Sequence, residues 1–327
     1  MERRLLGRSG LKVSELCLGT MTFGNEADEA ASRAIVDRFL DAGGNFIDTA
    51  DVYQRGVAEE ITGRVLGRRR DQVVLATKGR MPMGEGPNEG GANRRHLTRA
   101  VEASLRRLGT DRIDLYQVHW PDPAVPVEET LSTLDDLVSA GKISCGGLSN
   151  FLGWEIQRGI DACERYGWAP ITSHQPQYSL ISREIELETL PLCQANGIAV
   201  LPWSPLGGGV LTGKYKGPES LPRDTRLGDS EFQATRRLNE HNLLVAEAVG
   251  KVAAEVGKTP AQVALNWVLH RPGVTAPILG ARTVAQLEDN LGAAGWQLDA
   301  SHVEMLDRAS RKPLPYPHDM YRMINAL

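Results

Sequence analysis

Four polar side chains with complementary acid–base chemistry stand at the ends of predicted strands. Asp48 and Tyr53 follow one apolar segment, Lys78 ends the next, and His119 ends a third. A free phenol titrates near ~10, and a neighbouring ammonium that stabilises phenolate lowers that pKa. A carboxylate can hold the ammonium, and an imidazole can orient a carbonyl oxygen beside the phenol. The set therefore predicts delivery of a proton to a substrate oxygen.

Each of the four residues also has a plainer interpretation. A lone Asp at a strand end is most often a turn or cap residue, a lone Lys a solvated charge, and a lone His a core residue. Lys78, however, ends a strongly apolar segment, where an unpaired ammonium is costly and a partner such as Asp48 is expected. Nothing nearby is typical of an acyl-transfer nucleophile. We therefore predict that an oxygen is protonated while hydride attacks its carbon, which requires a nicotinamide cofactor.

Short apolar segments alternate with segments of helical periodicity almost from end to end. The predicted strands are Leu16–Thr20, Asn45–Ala50, Val73–Lys78, Ile113–His119, Ile143–Ser149, Ile171–Gln175, Ile198–Trp203 and Ala276–Gly280. Apolar stripes such as Leu97, Val101, Leu105 and Leu108 predict helices between them. Eight such units favour a closed (β/α)8 TIM barrel over an open sheet. The carboxyl ends of barrel strands meet at one rim, so the four polar residues are expected to share a pocket.

The remaining segments fit around such a barrel. Arg4–Val13 predicts a hairpin that closes the barrel floor, and Thr283–Ala294 and Ser301–Ser310 predict extra C-terminal helices. Pro313–Pro317 predicts an extended tail, and the stretch of about seventy residues before the eighth strand predicts a loop and two helices. We expect a single domain spanning 1–327.

Composition and charge exclude several classes of protein. The net charge is −4 with both signs interleaved, so no basic face for a nucleic acid is evident. The start of the chain lacks the apolar core of a signal peptide, and no apolar run reaches the roughly 18–20 residues that span a membrane. The well-separated Cys17, Cys145, Cys163 and Cys193 predict reduced thiols in a cytoplasmic protein, with no structural zinc. A monomer is the default expectation.

Six motifs occur in a fixed order over essentially the whole chain: FIDTADVY, VVLATK, LYQVHW, GLSNF, WSPLGGGVLTGKY and LGARTVAQLEDNLGA. In these motifs the chain resembles the aldo-keto reductase family, whose (β/α)8 barrels reduce carbonyls with NADPH and without a metal. The resemblance implies a catalytic tetrad of Asp48, Tyr53, Lys78 and His119. Trp203 and the glycines after it are closer to the branch that contains bacterial general-stress-type reductases and potassium-channel β subunits.

The resemblance also implies a site for NADP(H). The residues that match the family's cofactor positions are Gly19, Thr20, Met21, Asp48, Ser149, Asn150, Gln175, Trp203, Ser204, Pro205, Leu206, Gly207, Gly209, Lys214, Gly280, Arg282, Gln286 and Asn290. Ser149, Asn150 and Gln175 are implied to bind the nicotinamide carboxamide. Trp203 is implied to stack on the ring, which leaves the pro-R hydride for transfer. Lys214 and nearby backbone amides are implied to hold the pyrophosphate.

Arg282 is the residue that favours NADP(H) over NAD(H). It precedes a predicted helix, whose free N–H groups and dipole attract anions. An arginine there can bind a 2′-phosphate bidentately, whereas a carboxylate would favour the free ribose hydroxyl of NAD. Gln286 and Asn290, one and two turns further on, match positions that contact the adenosine.

Two glycine-rich stretches come close to nucleotide-binding fingerprints, but each lacks a required residue. In Gly84–Gly91, Glu89 replaces the third glycine of GxGxxG and no helix is predicted to open there. We expect a mobile loop near the substrate entrance instead. Gly208–Lys214 matches the first part of a P-loop, but Tyr215 replaces the magnesium-binding Ser or Thr. Neither stretch predicts a Rossmann site or an ATPase.

Two alternatives to a carbonyl reductase remain open from the sequence. The first is a redox-sensing regulatory subunit that binds NADPH with little turnover. The second is a metal hydrolase whose ligands would be His119, Asp51, Asp122 and His174, although these residues lack any HxH pair.

We expect the substrate to be a carbonyl compound, whose identity the motifs do not specify. We expect Tyr53, His119 and Trp120 to contact it. Met21, Trp120 and Tyr178 offer either apolar or stacking walls or core packing. The loops expected to select it are 81–93, 21–26 and 216–233, together with the C-terminal tail. Small aldehydes, sugar-derived carbonyls, keto sugars and pyridoxal-like rings all fit.

Overall fold

The computed structural model describes residues 1–217, 227 and 231–325. Its strands are β1 (Arg3–Leu5), β2 (Lys12–Ser14), β3 (Cys17–Gly19), β4 (Phe46–Asp48), β5 (Val74–Gly79), β6 (Ile113–Val118), β7 (Ile143–Ser149), β8 (Ile171–Gln175), β9 (Ala199–Val200) and β10 (Ile278–Gly280). The last eight form one sheet in the order β10-β3-β4-β5-β6-β7-β8-β9, and every neighbouring pair is parallel. All eight predicted barrel strands are therefore confirmed, several of them shorter at their ends.

The sheet closes through backbone hydrogen bonds between β9 and the residues before β10, and between β10 and the residues after β9. Thr275 N donates to Val200 O at 2.9 Å, and Ile278 N donates to Pro202 O at 2.8 Å. Closure removes the free edges and brings the carboxyl ends of all eight strands to one rim. The (β/α)8 barrel predicted from the sequence is confirmed.

The helices surround this barrel. They are α1 (Glu29–Asp41), α2 (Val57–Leu66), α3 (Arg94–Leu108), α4 (Val127–Ser139), α5 (Gly153–Tyr166), α6 (Thr189–Asn196), α7 (Glu231–Arg237), α8 (Glu240–Val256), α9 (Pro260–Leu269), α10 (Val284–Leu291), α11 (Ala300–Ser310) and α12 (His318–Asn325). In α3 the predicted stripe of Leu97, Val101, Leu105 and Leu108 is buried, while Asn93 caps the helix by accepting from a backbone N–H of the first turn. Helical periodicity therefore located the face that packs on the sheet.

The N-terminal hairpin lies at the end of the barrel opposite the active rim. Strands β1 and β2 pair antiparallel, and Leu6 and Val13 are buried in one cluster with Phe46 and Leu115 from barrel strands. The Arg4 guanidinium donates to main-chain oxygens that precede β10, the shortest bond being 3.0 Å. The predicted hairpin is confirmed, and it covers the barrel interior from below.

Two segments differ from the sequence-based expectation. Three helices, α7, α8 and α9, lie in the described part of the chain between β9 and β10, where we expected two. The extended Pro313–Pro317 tail is followed by a further helix, α12, whose Met320, Met323 and Ile324 side chains are exposed. Met320, Met323 and Ile324 stand at i, i+3 and i+4, so their spacing was a helical signal that the sequence reading overlooked.

All four cysteines are free, as the sequence predicted, and all four are buried. No helix within the described residues is long and apolar enough to cross a membrane.

Candidate active site

A buried ion pair lies at the rim between two neighbouring strands. Lys78, near the end of β5, places Nζ 2.5 Å from Oδ2 of Asp48, the last residue of β4, and donates to Thr49 O at 2.8 Å. Burial alone would lower the pKa of Lys78, but the charges of Asp48 and Tyr53 and hydrogen bonds to both residues raise it above its usual value. Lys78 therefore remains an ammonium, with the partner that its buried position required.

The Tyr53 hydroxyl lies on the other side of the same ammonium. Lys78 Nζ is 3.3 Å from Tyr53 Oη and 4.9 Å from the centre of its ring. The two residues after Tyr53, Gln54 and Arg55, have left-handed φ values of 47° and 53°. Each such non-glycine residue costs about 1–2 kcal/mol, so this turn at the candidate site stores strain.

The His119 imidazole meets the Tyr53 ring at its edge. The ring centres are 6.0 Å apart, and the planes are inclined by 82°. Burial, followed by the charges of Lys78 and Arg80, lowers the pKa of His119 to about 3. The imidazole is therefore neutral at neutral pH, and it can orient an oxygen by a hydrogen bond without carrying a charge.

The second carboxylate oxygen of Asp48 is held by two amides. Gln175 Nε2 donates to Asp48 Oδ1 at 2.9 Å, and Gln117 Nε2 donates to the same atom at 3.2 Å. Gln117 was missed in the sequence. It lies two residues before His119, and strand residues with a period of two share a face, so this spacing was a usable signal.

Predicted nicotinamide-binding residues form one hydrogen-bonded group beside this pair. Asn150 Nδ2 donates to Ser149 Oγ at 3.0 Å and to His119 O at 3.1 Å, while Trp203 Nε1 donates to Asn150 Oδ1 at 2.9 Å. Ser149 Oγ in turn donates to Gln175 O at 2.8 Å. Asn150, with a φ of 63°, thus links the ends of three strands. Contact with a nicotinamide stays a prediction.

A backbone segment that we call the glycine strap, residues 204–214, follows Trp203. Pro205 is buried and Leu206 is half-buried, and a short 3-10 helix then runs from Gly207 to Thr212. At Gly209 the φ is 94°, and a Cβ there would lie only 3.0 Å from Lys214 Nζ. The lysine therefore packs directly on the glycine backbone, in the segment predicted to hold a pyrophosphate.

The strap is also tied to helix α7. Arg237 Nη1 donates to Ser204 Oγ at 2.9 Å, and Arg237 is largely buried. Ser204 has a φ of 55°. Like Asn150, it is therefore a non-glycine residue with a strained left-handed backbone next to Trp203. Sequence reasoning identified Ser204 and missed Arg237.

Glycines bring β3 and β10 close together at the rim. Gly19 ends β3 and pairs with Gly280 of β10. Thr20 N donates to Asp48 O at 2.9 Å, whereas the buried Thr20 hydroxyl has no hydrogen-bond partner among the described residues. Met21, next in the chain, is half-buried. These predicted cofactor residues thus adjoin the backbone of Asp48, and the buried Thr20 hydroxyl is left unsatisfied by the described residues.

The start of α10 carries the residues predicted to contact the adenosine end. Gln286 Oε1 accepts from Arg282 N at 2.9 Å, and Asn290 Nδ2 donates to Gly280 O at 3.1 Å. Arg282 Nη2 lies 3.1 Å from Glu26 Oε1. The Glu26 partner belongs to a distant loop, and no local pattern indicated it.

Of the predicted substrate walls, the structure leaves Trp120 at the rim and places Tyr178 in the core. Trp120 is 44% exposed, whereas Tyr178 is fully buried, 5.6 Å from the ring centre of Trp267, with its hydroxyl donating to Glu186. The core interpretation of Tyr178 is therefore correct. Most of the predicted substrate loop 216–233 lies outside the described residues.

The residues of the metal-hydrolase alternative do not form a ligand set. Asp122 accepts from backbone N–H groups of two loop residues, as a turn residue does, and His174 is buried in β8. Across residues 1–217, 227 and 231–325, no group of three or more His, Cys, Asp or Glu side chains could hold a metal ion. The geometry gives this alternative no support.

Asp51 instead lies beside a second carboxylate, Glu59. Thr77 Oγ1 and Arg107 Nε each donate to Glu59 at 2.6 Å. Burial, followed by the charge of Glu59, raises the pKa of Asp51 to about 7, although Arg107 and Lys78 act in the opposite direction. Asp51 therefore gains a proton near neutrality instead of providing a permanent charge for a cation.

Comparison with known proteins confirms the resemblance found in the motifs. Residues 15–311 match the aldo/keto reductase family. The uncharacterized oxidoreductase YrpG of Bacillus subtilis is 40% identical, with 94% of this chain and 95% of the relative covered. A probable voltage-gated potassium channel subunit beta of Oryza sativa subsp. japonica is 38% identical, with 90% and 91% covered. The norsolorinic acid reductase of Aspergillus flavus is 32% identical, with 96% and 82% covered. With this match over most of its length, the chain belongs to the aldo/keto reductase family.

Proposed function

We propose that the protein is an NADPH-dependent oxidoreductase that reduces an aldehyde or ketone to an alcohol. The observation that carries the proposal is the position of the Lys78 ammonium, 2.5 Å from Asp48 and 3.3 Å from the Tyr53 hydroxyl. A phenol in contact with a permanent, buried cation is suited to giving up a proton, because the cation stabilises the phenolate that remains. A family match and relatives named as reductases support the same activity.

The four residues divide the work. Tyr53 donates the proton to the carbonyl oxygen, and Lys78 stabilises the resulting phenolate. Asp48 keeps the ammonium in place, while Gln117 and Gln175 hold Asp48. The neutral His119 hydrogen-bonds the substrate oxygen and so positions it at the phenol. When bound, a reduced nicotinamide supplies the hydride to the carbonyl carbon.

The residues around the tetrad fit an NADP(H) cofactor. The unsatisfied Thr20 hydroxyl adjoins Asp48, and the Asn150–Trp203 pair borders His119. The strap places the Lys214 ammonium against bare glycine backbone, as the binding of a diphosphate requires. Arg282 at the start of α10 supplies the cation for a 2′-phosphate, which favours NADP(H) over NAD(H).

The test of this function is consumption of NADPH with an activated aromatic aldehyde, followed at 340 nm. Tyr53→Phe removes only the proton donor, so kcat should fall by about 10²–10⁴-fold, the usual worth of a general acid. Its matched control is Tyr166→Phe, which alters an exposed tyrosine stacked on Trp168 and should retain wild-type turnover. Robust turnover by Tyr53→Phe would remove Tyr53 from the proposed role.

A second candidate function is a redox-sensing subunit that binds NADPH and turns it over little. The similarity to proteins named as potassium channel β subunits favours it. Binding and turnover separate the two functions, because the sensor requires tight NADPH binding with negligible reduction of every carbonyl tried. Oxidation of bound NADPH by one carbonyl at more than about 1 s⁻¹, a rate typical of enzymes, would favour the reductase.

We further infer that the chain is one domain and that it works as a monomer in the cytoplasm. The family match across residues 15–311 supports a single domain, and four buried free thiols fit a reducing compartment. A carbonyl compound is the proposed partner, with no nucleic acid or membrane. Light scattering after gel filtration tests the monomer.

A further inference from the structure

A cavity of about 560 Å³ with polar and apolar walls adjoins the glycine strap through Arg237. Three segments line it: residues 177–184 after β8, residues 236–242 at the junction of α7 and α8, and residues 311–313 after α11. No tetrad residue lines it. Gln177 pairs with Trp203 through its backbone, so the cavity begins next to the predicted cofactor site without being part of the reactive centre.

The lining of this cavity is strongly cationic. Among the lining residues that the structure describes, Arg236, Arg237, Arg311 and Lys312 carry positive charges and Glu184 is the single carboxylate. Glu184 already accepts from Lys312 Nζ at 2.8 Å, so that pair is internally balanced. Among the described lining residues, Arg236 and Arg311 are therefore the cations that leave the cavity positively charged.

Two of these guanidinium groups are available to a ligand. Arg236 and Arg311 are exposed, and neither forms an ion pair in the part of the chain that the structure describes, although the charge of Arg236 helps to lower the pKa of Glu184. Arg237 is engaged with the Ser204 hydroxyl of the strap. The nearby His241 is only half-buried, yet its Nε2 is shielded from solvent and makes no hydrogen bond to a described residue. Two guanidinium groups that line one cavity and are held in no ion pair are suited to binding an oxyanion.

The size of the cavity and its other walls indicate what carries the oxyanion. Its volume is typical of sites for small organic molecules, roughly 300–1,000 Å³, and is far larger than an inorganic anion needs. Ile181 and Pro313 add apolar surface, while Gln177, Ser182 and Asn239 add amide and hydroxyl groups. Such a mixed lining suits a hydroxylated organic body.

We infer that this cavity binds a small, polar organic anion through a phosphate or carboxylate group held by Arg236 and Arg311. The site is separate from the tetrad and does not depend on the proposed reductase activity. Since Arg237 both lines the cavity and holds Ser204, it is kept intact in the test, so that the strap is not disturbed.

The test is isothermal titration with glucose 6-phosphate and citrate as probes and with glucose as the uncharged comparison. Saturating NADPH is present throughout, because the glycine strap with Lys214 is a competing site for oxyanions. The binding of NADPH itself is measured in a separate titration. A failure of the cofactor proposal is thereby distinguished from a failure of this one. We expect at least one of the two anions to bind saturably and glucose not to bind.

The variant Arg236→Ala/Arg311→Ala should weaken that binding at least tenfold. The control Lys251→Ala/Arg308→Ala removes two exposed cations of α8 and α11, which adjoin the cavity segments, at positions outside the cavity lining, and should bind as the wild type does. Thermal unfolding of both variants confirms that they are folded. The absence of saturable binding by either anion, or a loss below tenfold in the first variant, overturns the inference.

Discussion

Arg282 and Glu26 form an ion pair of 3.1 Å across the mouth of the predicted adenosine site. Both side chains are about three-quarters buried, and Glu26 comes from the loop after β3 while Arg282 precedes α10. The arginine proposed to bind a 2′-phosphate is therefore held by a carboxylate with which that phosphate must compete. A carboxylate in this place weakens the attraction for the phosphate and fixes the arginine in position.

Removing the Glu26 charge should tighten NADPH binding. An ion pair with this exposure contributes about 0.2–1 kcal/mol, so Glu26→Gln should lower the Kd of NADPH by up to about fivefold and leave that of NADH unchanged. Arg282→Ala should raise the Kd of NADPH about tenfold or more, the worth of a charged hydrogen bond. Fluorescence titration with both cofactors measures these changes. Glu29→Gln, which breaks exposed ion pairs on α1, is the control. An unchanged ratio of the two Kd values in Arg282→Ala would assign the 2′-phosphate elsewhere.

Separating Asp48 from Lys78 should cost stability as well as activity. Lys78 is fully buried and Asp48 nearly so, and removing one member of such a pair costs about 3–5 kcal/mol because the other charge is left uncompensated. We expect Asp48→Asn and Lys78→Met each to lower the free energy of unfolding in urea by that order. The double variant Asp48→Asn/Lys78→Met should be more stable than either single variant and equally inactive. Additive losses in the double variant would show that the two residues do not act as a pair.

A side chain at Gly209 should weaken cofactor binding by displacing Lys214. The added Cβ would lie 2.8 Å from Lys214 Cε, so Gly209→Ala should raise the Kd of NADPH several-fold. Gly213→Ala is the matched control, because Gly213 also has a positive φ, 74°, but its Cβ would meet no atom within 4 Å. Both variants carry the backbone strain of a left-handed alanine, about 1–2 kcal/mol. Equal effects of the two on the Kd of NADPH would show that strain, and not the position of Lys214, is responsible.

The parts of the molecule that were predictable are those fixed by local periodicity. Lys78 and His119 each end an apolar segment of the sequence, which places them at strand ends. A closed barrel then brings these ends together at one rim, independently of the loop conformations. The period of two along a strand indicates Gln117, although it was overlooked. The Arg282–Glu26 pair was not predictable, because its members are far apart in sequence and meet only through loop geometry. The left-handed turn after Tyr53 lacks a glycine or asparagine signal at Gln54, so propensity argues against it.

Asp51 should make stability depend on pH near neutrality. Its pKa is raised by burial and then by Glu59, from 3.8 to about 7. The folded state therefore binds more protons than the unfolded state between these values, and this stability, fully present below 3.8, is lost as the pH rises through 7. His119, whose pKa is lowered to about 3, has the opposite effect as the pH falls below 6.5, so the two contributions overlap in the wild type.

The variant Asp51→Asn isolates the contribution of Asp51, because an amide resembles the protonated acid at every pH. Relative to the wild type, we expect this variant to gain stability progressively from pH 4.5 to pH 8 in urea unfolding, since the wild type alone must ionise a buried carboxyl. Asp161→Asn, on the exposed side of α5, should run parallel to the wild type over the same range. A difference between Asp51→Asn and the wild type that is constant with pH would mean that Asp51 does not titrate in this window.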